Sequence, residues 1–325
     1  MKESQGRSEV DRLLQRALRK DRRAMSQLMS LAENDPRSRI EILSRLYWRR
    51  KGAHVVGVTG PPGCGKSTLI ARLAKRYRES GYTVGIVAVD PSSQITGGAL
   101  LGDRIRMGDL AADPQIFIRS MATRGHFGGL ARATEDAVRI LATSMDRLIV
   151  ETAGAGQSDV DVKTLADTVV VVTAPGLGDE IQALKAGLME IGDIFVVNKA
   201  EKEEADQTAR EIFYMISLSN PSGSWRQPVL KTVATTGEGV DALIEATQQH
   251  WKHVQSVTPA INVEKTRATI LDAAREYFDD VKLKKMENSR KFKRMIAGVQ
   301  SQQIDPYTAA RALVDGKATK RFPAV

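Results

Sequence analysis

The sequence predicts an α/β fold in which a mostly parallel, doubly wound sheet carries helical extensions at both ends of the chain. Six short apolar runs, rich in β-branched residues, follow one another between residues 54 and 198. Runs of this kind are typical of strands buried on both faces of a sheet. Amphipathic stretches lie between them, and alternation of strand and helix is the pattern of a parallel sheet wrapped by helices.

The apolar runs and the stretches between them give the expected elements. The expected strands are His54–Thr59, Val84–Asp90, Ile116–Ser120, Leu148–Glu151, Val169–Thr173 and Ile194–Asn198, with a last short strand near Val229–Ala234. The expected helices of this region include Ser67–Ser80, Gly129–Met145 and Asp179–Ile191.

Both ends of the chain have helical periodicity. Apolar residues recur three and four positions apart from Val10 to Leu31, and again from Val263 to Val299. Asp305 and Pro306 form an N-cap and first-turn pair for a final helix. We therefore expect an N-terminal helical extension at 1–50, a central domain at 51–256 and a C-terminal helical arm at 257–325. The arm could fold back on its own domain or pair with a second chain.

Composition excludes several classes of protein. The single cysteine, Cys64, leaves no intramolecular disulfide. No apolar run reaches the roughly 18 residues that cross a bilayer, and the first residues lack a secretory apolar segment, so we expect a cytoplasmic protein with no membrane contact. The net charge is +9, but its basic residues alternate with acidic ones and lack a stacking set of aromatic residues, so we do not expect nucleic-acid binding.

A phosphate-binding loop follows the first expected strand. Residues 60 to 67 read GPPGCGKS and match G-x-x-x-x-G-K-[ST] between a strand and a helix. Glycines let backbone N–H groups surround phosphates, Lys66 reaches the β- and γ-phosphates, and the Ser67 hydroxyl binds Mg²⁺. The expected nucleotide-binding residues of the loop are Gly60, Pro61, Pro62, Gly63, Cys64, Gly65, Lys66, Ser67 and Thr68.

Three carboxylates could complete a magnesium site beside this loop. Asp90 and Glu151 end expected strands, and Asp103 lies in a glycine-rich stretch. Carboxylates near the carboxyl ends of neighbouring strands suit Mg²⁺, although each could also be only a turn residue. We expect Ser67 and these three carboxylates to bind the metal. The expected catalytic residues are the same three carboxylates and Lys66. Gly154 completes an E-x-x-G pattern typical of a γ-phosphate sensor.

Base selection is expected after the later strands. Asn198, Lys199 and Glu201 lie in NKAE, where a carboxylate can accept hydrogen bonds from guanine N1–H and its 2-amino group. The segment could also be only a polar strand-to-helix turn. Backbone N–H groups of Ala234, Thr235 and Thr236 could bind guanine O6.

Longer motifs indicate a particular family. The runs VDPSSQITGGALLGDRIRM, IRSMATRGHFGGLARAT, ETAGAGQSDVDV, APGLGDEIQALKAGLMEIGDIFVVNKAE and IDPYTAARAL together closely resemble the methylmalonyl-CoA mutase-associated GTPases, which have also been labelled lysine/arginine/ornithine transport ATPases. The resemblance covers roughly residues 8 to 316. Glu201 stands where the family usually has Asp, and ETAGAGQSD has alanines where valines are common.

The resemblance implies a homodimeric GTPase that binds Mg²⁺ and GTP or GDP. It also implies a chaperone of an adenosylcobalamin-dependent acyl-CoA mutase that gates cofactor loading, with no tightly bound cobalamin of its own. A switch loop at 176–185 would then contact the mutase through Gln182 and Lys185, unless it is simply a helix start capped by Asp179. The alternative is an ATP-dependent kinase or transport-linked ATPase.

Overall fold

A computed structural model describes residues 2–47, 52–90, 108–122, 129–152, 158–176, 187–219, 224–257 and 263–315. The chain divides into two compact units, residues 1–258 and 259–325. In the ranges that the structure describes, no helix combines the length and the apolar character needed to span a membrane.

The first unit is built on a sheet of seven parallel strands in its described part. The strands are β1 His54–Thr59, β2 Val84–Asp90, β3 Ile116–Ala122, β4 Arg147–Glu151, β5 Thr168–Thr173, β6 Ile194–Asn198 and β7 Val229–Thr232. Their order across the sheet is β3-β2-β4-β1-β5-β6-β7. Since all neighbours are parallel, the carboxyl ends of the strands lie at one edge.

The sheet is buried on both faces, as the apolar runs predict. Successive residues of a strand enter opposite layers: Val55 belongs to one apolar cluster and Val56 to the other, and the same holds for Val169 and Val170. This is the alternation of side chains along a strand. The α/β class and the parallel sheet are therefore confirmed.

Ten helices accompany this sheet in the described part of the first unit. They are α1 Lys2–Leu18, α2 Arg22–Asn34, α3 Pro36–Tyr47, α4 Lys66–Glu79, α5 Gly108–Ala111, α6 Gly129–Leu141, α7 Ser158–Leu165, α8 Met189–Ile191, α9 Ala205–Ser219 and α10 Val240–Val257. Residues of α1 to α3 share one core cluster with α6, α9 and one face of the sheet. Residues of α4 and α10 pack on the other face.

A buried ion pair joins the N-terminal helices to the sheet domain. Arg39 of α3 donates from Nε and a terminal nitrogen to the carboxylate of Asp136 on α6, at 2.5 and 3.0 Å. Both side chains are less than 10% exposed. Burial raises the pKa of Asp136, while the Arg39 hydrogen bond opposes that rise. The N-terminal helices thus contribute a charged group as well as apolar side chains to the core of the first unit.

A histidine and aromatic cluster lies at the amino edge of the sheet. His54 begins β1 and stacks on Trp251 of α10, with ring centroids 4.8 Å apart and planes 7° apart. The Thr168 hydroxyl, at the start of β5, lies 2.9 Å from His54 Nε2 and 2.9 Å from His250 Nδ1. The Arg147 guanidinium lies 5.4 Å from the Trp251 ring centroid. These contacts attach α10 to the edge opposite the phosphate loop.

The second unit is helical throughout its described part. It contains α11 Val263–Tyr277, a π-helical turn Phe278–Leu283, α12 Lys284–Glu287, α13 Arg290–Gln300 and α14 Pro306–Asp315. The helical periodicity from Val263 to Val299 is divided at Ser289, whose hydroxyl accepts from the Phe292 amide and caps α13. Asp305 accepts from the amides of Tyr307 and Thr308, so the predicted cap of the last helix is present.

Candidate nucleotide-binding site

The phosphate loop turns sharply between the end of β1 and the start of α4. Gly60, Gly63 and Gly65 have φ of 139°, 76° and 96°, a region that side chains rarely allow. A Cβ on Gly60 would lie 1.9 Å from the Val172 carbonyl oxygen. Glycine is thus required at the first position for both backbone conformation and space. Gly65 is the N-cap of α4, so the positive end of the helix dipole faces the loop.

Two of the expected site residues begin α4. The Lys66 ammonium is held within the loop, donating to the carbonyls of Gly60 at 2.7 Å and Pro61 at 3.1 Å. The next residue, Ser67, donates from Oγ to Glu151 Oε1 at 2.6 Å. The lysine inside the loop is therefore followed directly by a hydroxyl that contacts a buried carboxylate.

The sheet register explains the position of Glu151. This last residue of β4 is aligned with Val58 of β1 on one side and Ala88 of β2 on the other. It is 6% exposed. Asp90 ends β2 two residues after Ala88, so its backbone belongs to the same edge. The parallel register thus brings two of the expected carboxylate positions to adjacent strand ends.

Asn198, at the end of β6, bridges two loops. Its Nδ2 donates to the Cys64 carbonyl at 2.8 Å, and its Oδ1 accepts from the Ala234 amide at 3.0 Å and the Thr232 hydroxyl at 3.1 Å. The residue is 2% exposed. The phosphate loop and the segment after β7 are therefore fixed to each other through one side chain.

Lys199 makes a second link to the phosphate loop. Its ammonium donates to the Gly63 carbonyl at 2.7 Å, and its own backbone adopts φ of 57°. Glu201, two residues later, is exposed. NKAE therefore places two side chains on the phosphate loop and leaves the carboxylate on the surface.

Comparisons with known proteins agree with this geometry. A family model described as methylmalonyl-CoA mutase-associated GTPase MeaB matches residues 25–290. The chain belongs to the MeaB family. A provisionally named GTPase of Pyrococcus horikoshii is 46% identical over 311 residues, covering 94% of this chain and 98% of that protein. The mouse mitochondrial homologue of the methylmalonic aciduria type A protein is 36% identical over 203 residues, covering 61% and 49%.

A solved structure described as a LAO/AO transport system kinase has the same fold. Its TM-score is 0.62 with 23% sequence identity, and the match covers 95% of this chain and 97% of that chain. At this identity the similarity concerns the fold alone. Family membership and the phosphate loop together identify the MeaB-family chain as a P-loop GTPase.

The segment after β7 of this MeaB-family protein is held from two sides. Asn198 binds the Ala234 amide, and the guanidinium of Arg72 on α4 donates to the carbonyls of Ala234, at 3.0 Å, and Thr235. The Thr236 amide closes a turn on the Val233 carbonyl at 3.1 Å. Of the three amides expected at guanine O6, two thus bind protein groups in this structure.

Several expected residues lie outside the described residues: Asp103, Gly154, Gln182 and Lys185. Their expected roles stay predictions. In the described ranges no group of three or more His, Cys, Asp or Glu side chains could hold a metal ion. A magnesium site built from the described part would therefore depend on hydroxyl and phosphate oxygens as well as on carboxylates.

Two residues of the site were missed from the sequence. Thr232 supports Asn198, and Arg72 holds the carbonyls of the segment after β7. Thr232 could have been found as the last strand residue before Ala234. Arg72 carries no local signal, because its partners lie more than 160 residues away in the chain.

Proposed function

We propose that this protein hydrolyses GTP with Mg²⁺ and acts as a chaperone of an adenosylcobalamin-dependent acyl-CoA mutase. The observation that carries the proposal is the phosphate loop of a MeaB-family chain, in which Lys66 stands beside the contact between Ser67 and Glu151. The loop supplies the phosphate site, and the strand ends beside it supply oxygen ligands for a metal ion.

The described residues fit a magnesium ion. Ser67 Oγ and Glu151 Oε1 lie 2.6 Å apart next to the loop, and both are hard oxygen donors of the kind Mg²⁺ prefers. We assign Ser67, Asp90, Asp103 and Glu151 to the surroundings of the ion. When bound, Mg²⁺ neutralises the charge that develops on the phosphate oxygens.

Hydrolysis needs positioning and charge more than covalent chemistry from the protein. The loop amides and the dipole of α4 bind the phosphates, and Lys66 exchanges its loop carbonyls for β- and γ-phosphate oxygens. A water oxygen attacks the γ-phosphorus, the bond to the β–γ bridging oxygen breaks, and GDP and phosphate leave. The γ-phosphate sensor would be Gly154.

Guanine recognition is assigned to the two segments tied together by Asn198. Glu201 is exposed, which leaves its carboxylate available to accept from guanine N1–H and the 2-amino group. The segment 234–236 is placed next to the phosphate loop by the Asn198 bridge. We propose that these two segments select guanine over adenine.

The mutase partner is proposed from the family description, and the dimer from one exposed helical surface. The family description names methylmalonyl-CoA mutase. In the second unit, α11 exposes Val263, Ile270 and Leu271, which lie on one helical face. We propose that a second copy of the chain covers this face. Light scattering should then show a dimer that Ile270→Glu converts to a monomer, and a monomeric wild-type protein would reject the proposal.

The nucleotide proposal is tested by calorimetric titration with GDP, a GTP analogue, ADP and an ATP analogue, each with and without magnesium. We expect guanine preference and tighter GTP-analogue binding with magnesium. Lys66→Ala should weaken GTP-analogue binding at least ~10-fold, since bonds to charged groups contribute about 1.5–3 kcal/mol. Lys75→Ala is the matched control, because Lys75 is an exposed lysine of the same helix. Equal or better adenine binding would favour the kinase or transport ATPase alternative.

The chaperone proposal needs a separate experiment. Purified methylmalonyl-CoA mutase should co-elute with this protein in the presence of a GTP analogue, and should change its rate of GTP hydrolysis. Gln182→Ala and Lys185→Ala should reduce that change without altering hydrolysis by the isolated protein. An unchanged rate together with no co-elution would reject the mutase as partner while leaving the GTPase assignment intact.

A further inference from the structure

Arg72 joins the phosphate-binding helix to the segment after β7. It lies on α4 six residues after Lys66, and its Nε donates to the Ala234 carbonyl at 3.0 Å while a terminal nitrogen donates to the Thr235 carbonyl. The side chain is partly buried. A planar guanidinium suits this arrangement, because its donors diverge in a fixed fork and can hold two successive carbonyls at once.

These two contacts fix the direction of the peptide amides. In a trans peptide the C=O and N–H groups point in opposite directions within one plane. The Ala234 carbonyl faces Arg72, so the Thr235 amide of the same peptide unit faces away from it. The neighbouring Ala234 amide binds Asn198, which also binds the phosphate loop. The Thr235 amide is therefore held in a defined direction.

The direction of an amide donor matters for base selection. Guanine presents the O6 acceptor where adenine presents an amino donor. A backbone N–H aimed at that position attracts guanine and leaves adenine with two opposed donors. If a peptide plane of the segment could flip by rotation about the φ and ψ bonds on either side of it, a carbonyl could face the base instead and the discrimination would fall.

We propose that Arg72 is a positioning residue that determines base specificity by holding segment 234–236 with an amide toward the base. This inference rests on the guanine-nucleotide function proposed above. It adds a residue outside the phosphate loop and outside NKAE to the specificity machinery. It also ties segment 234–236 to α4, the helix at the phosphate site. The proposed base contacts and the phosphate contacts are then joined through the Arg72 side chain.

The experiment compares full-length wild-type protein with Arg72→Met, which keeps the aliphatic stem and removes the donors. Affinities for GDP and ADP are measured by displacement of a fluorescent GDP analogue. The ratio of the two affinities should fall roughly 3- to 10-fold, the range for one neutral hydrogen bond. The ADP affinity should stay within about 2-fold of wild type, since the phosphate contacts are untouched. Arg72→Lys, which keeps donors on a flexible stem, should restore part of the ratio.

Arg76→Met is the matched control. Arg76 lies one turn further along α4 and pairs with Glu79 at 3.0 Å and with Asp241 of α10 at 3.3 Å, so its ion-pair partners are not residues of segment 234–236. It should leave the ratio unchanged. An equal loss of GDP and ADP affinity in Arg72→Met would show a general role in holding α4 and would overturn the proposal, as would an unchanged ratio.

Two further outcomes are distinguishable. If Arg72→Met does not fold, Arg72→Gln is measured instead, because its shorter side chain cannot span both carbonyls. An unchanged ratio in that variant overturns the proposal, and a reduced ratio supports it. If the wild-type protein itself shows no guanine preference, the proposed function fails, and the specificity role of Arg72 fails with it.

Discussion

Mild acid should destabilise the first unit of this protein, and His54 should account for about 2 kcal/mol of the loss between pH 7 and pH 5. The side chain is fully buried at the start of β1. Burial, followed by the positive charge of Arg147, lowers the pKa of His54 from its ordinary value of 6.5 to about 3. The folded protein therefore holds this ring neutral, while the unfolded chain takes up a proton.

The sign and the magnitude follow from that difference. Because the folded pKa of His54 is depressed, its contribution to stability is complete above pH 6.5 and is lost as the pH falls toward about 3. At pH 5 the unfolded ring is almost fully protonated and the folded ring is not. The free energy of unfolding falls by about 1.4 kcal/mol for each pH unit well below 6.5, and by less near it, which gives about 2 kcal/mol over this interval.

The assay is urea unfolding at pH 7 and pH 5, followed by tryptophan fluorescence. All three tryptophans precede residue 259, so the signal reports on the first unit. His54→Phe keeps a ring to stack on Trp251 and removes the titration. Its loss of stability on acidification should be about 2 kcal/mol smaller than that of wild type. The control is His253→Gln, at a partly exposed histidine two residues after Trp251 on α10. An equal loss in His54→Phe and wild type would refute this reasoning.

Three further predictions test the site and the core. Gly60→Ala should lower the free energy of unfolding by about 1–3 kcal/mol or more, because the backbone has φ of 139° and the new Cβ would lie 1.9 Å from the Val172 carbonyl oxygen. Wild-type stability of this variant would contradict the prediction. Arg39→Ala should lower the free energy of unfolding by about 3–5 kcal/mol, because it leaves the Asp136 charge buried without its partner. The double variant Arg39→Met with Asp136→Leu should recover most of that stability, and no recovery would argue against the unpaired charge as the cause. Asn198→Ala removes three hydrogen bonds of about 1 kcal/mol each and should lower the free energy of unfolding. Asn198→Asp should not restore that stability, because a carboxylate cannot donate to the loop carbonyl, and full stability of either variant in urea unfolding would reject the bridge.

The sheet was predictable because its signal is local. Three strands, His54–Thr59, Val84–Asp90 and Ile194–Asn198, begin and end where their apolar runs do. β4 and β5 each begin one residue earlier than expected, at Arg147 and Thr168, whose backbones still take part in the ladder. β3 continues two residues further, to Ala122, and β7 ends two residues earlier, at Thr232. A side chain's polarity does not decide whether its backbone pairs, so the pattern could not set those ends.

The helical ends were predicted as helices but not as separate pieces. The first extension divides at Lys20, which has φ of 66°, and at Asp21, which caps α2. The second division is at Asp35, before Pro36. In the C-terminal arm, Ser289 begins a new helix within a continuous apolar pattern. Hydrophobic periodicity continues through such breaks, because two successive helices can bury the same kind of face.

The candidate site shows the same limit in its side chains. The phosphate loop could be read from eight consecutive residues, whereas the contacts that organise the rest are distant in sequence. Asn198 was expected at the base, but its amide is occupied by Cys64, Thr232 and Ala234. Residue types at strand ends indicate which edge of the sheet carries the chemistry. Which group each side chain binds there depends on the register of strands far apart in the chain.

The two edges of the sheet differ in the polar groups that they carry. At the amino edge, the Thr168 hydroxyl lies between the rings of two histidines, and burial keeps the pKa of each below its ordinary value. At the carboxyl edge, the phosphate loop turns at glycines with positive φ. Lys199 and Asn198 donate hydrogen bonds to carbonyls of that loop. Helix α10 packs against the amino edge and begins just after segment 234–236. The cluster therefore fixes the C-terminal part of the helix that follows segment 234–236, on the edge of the sheet away from the phosphate loop.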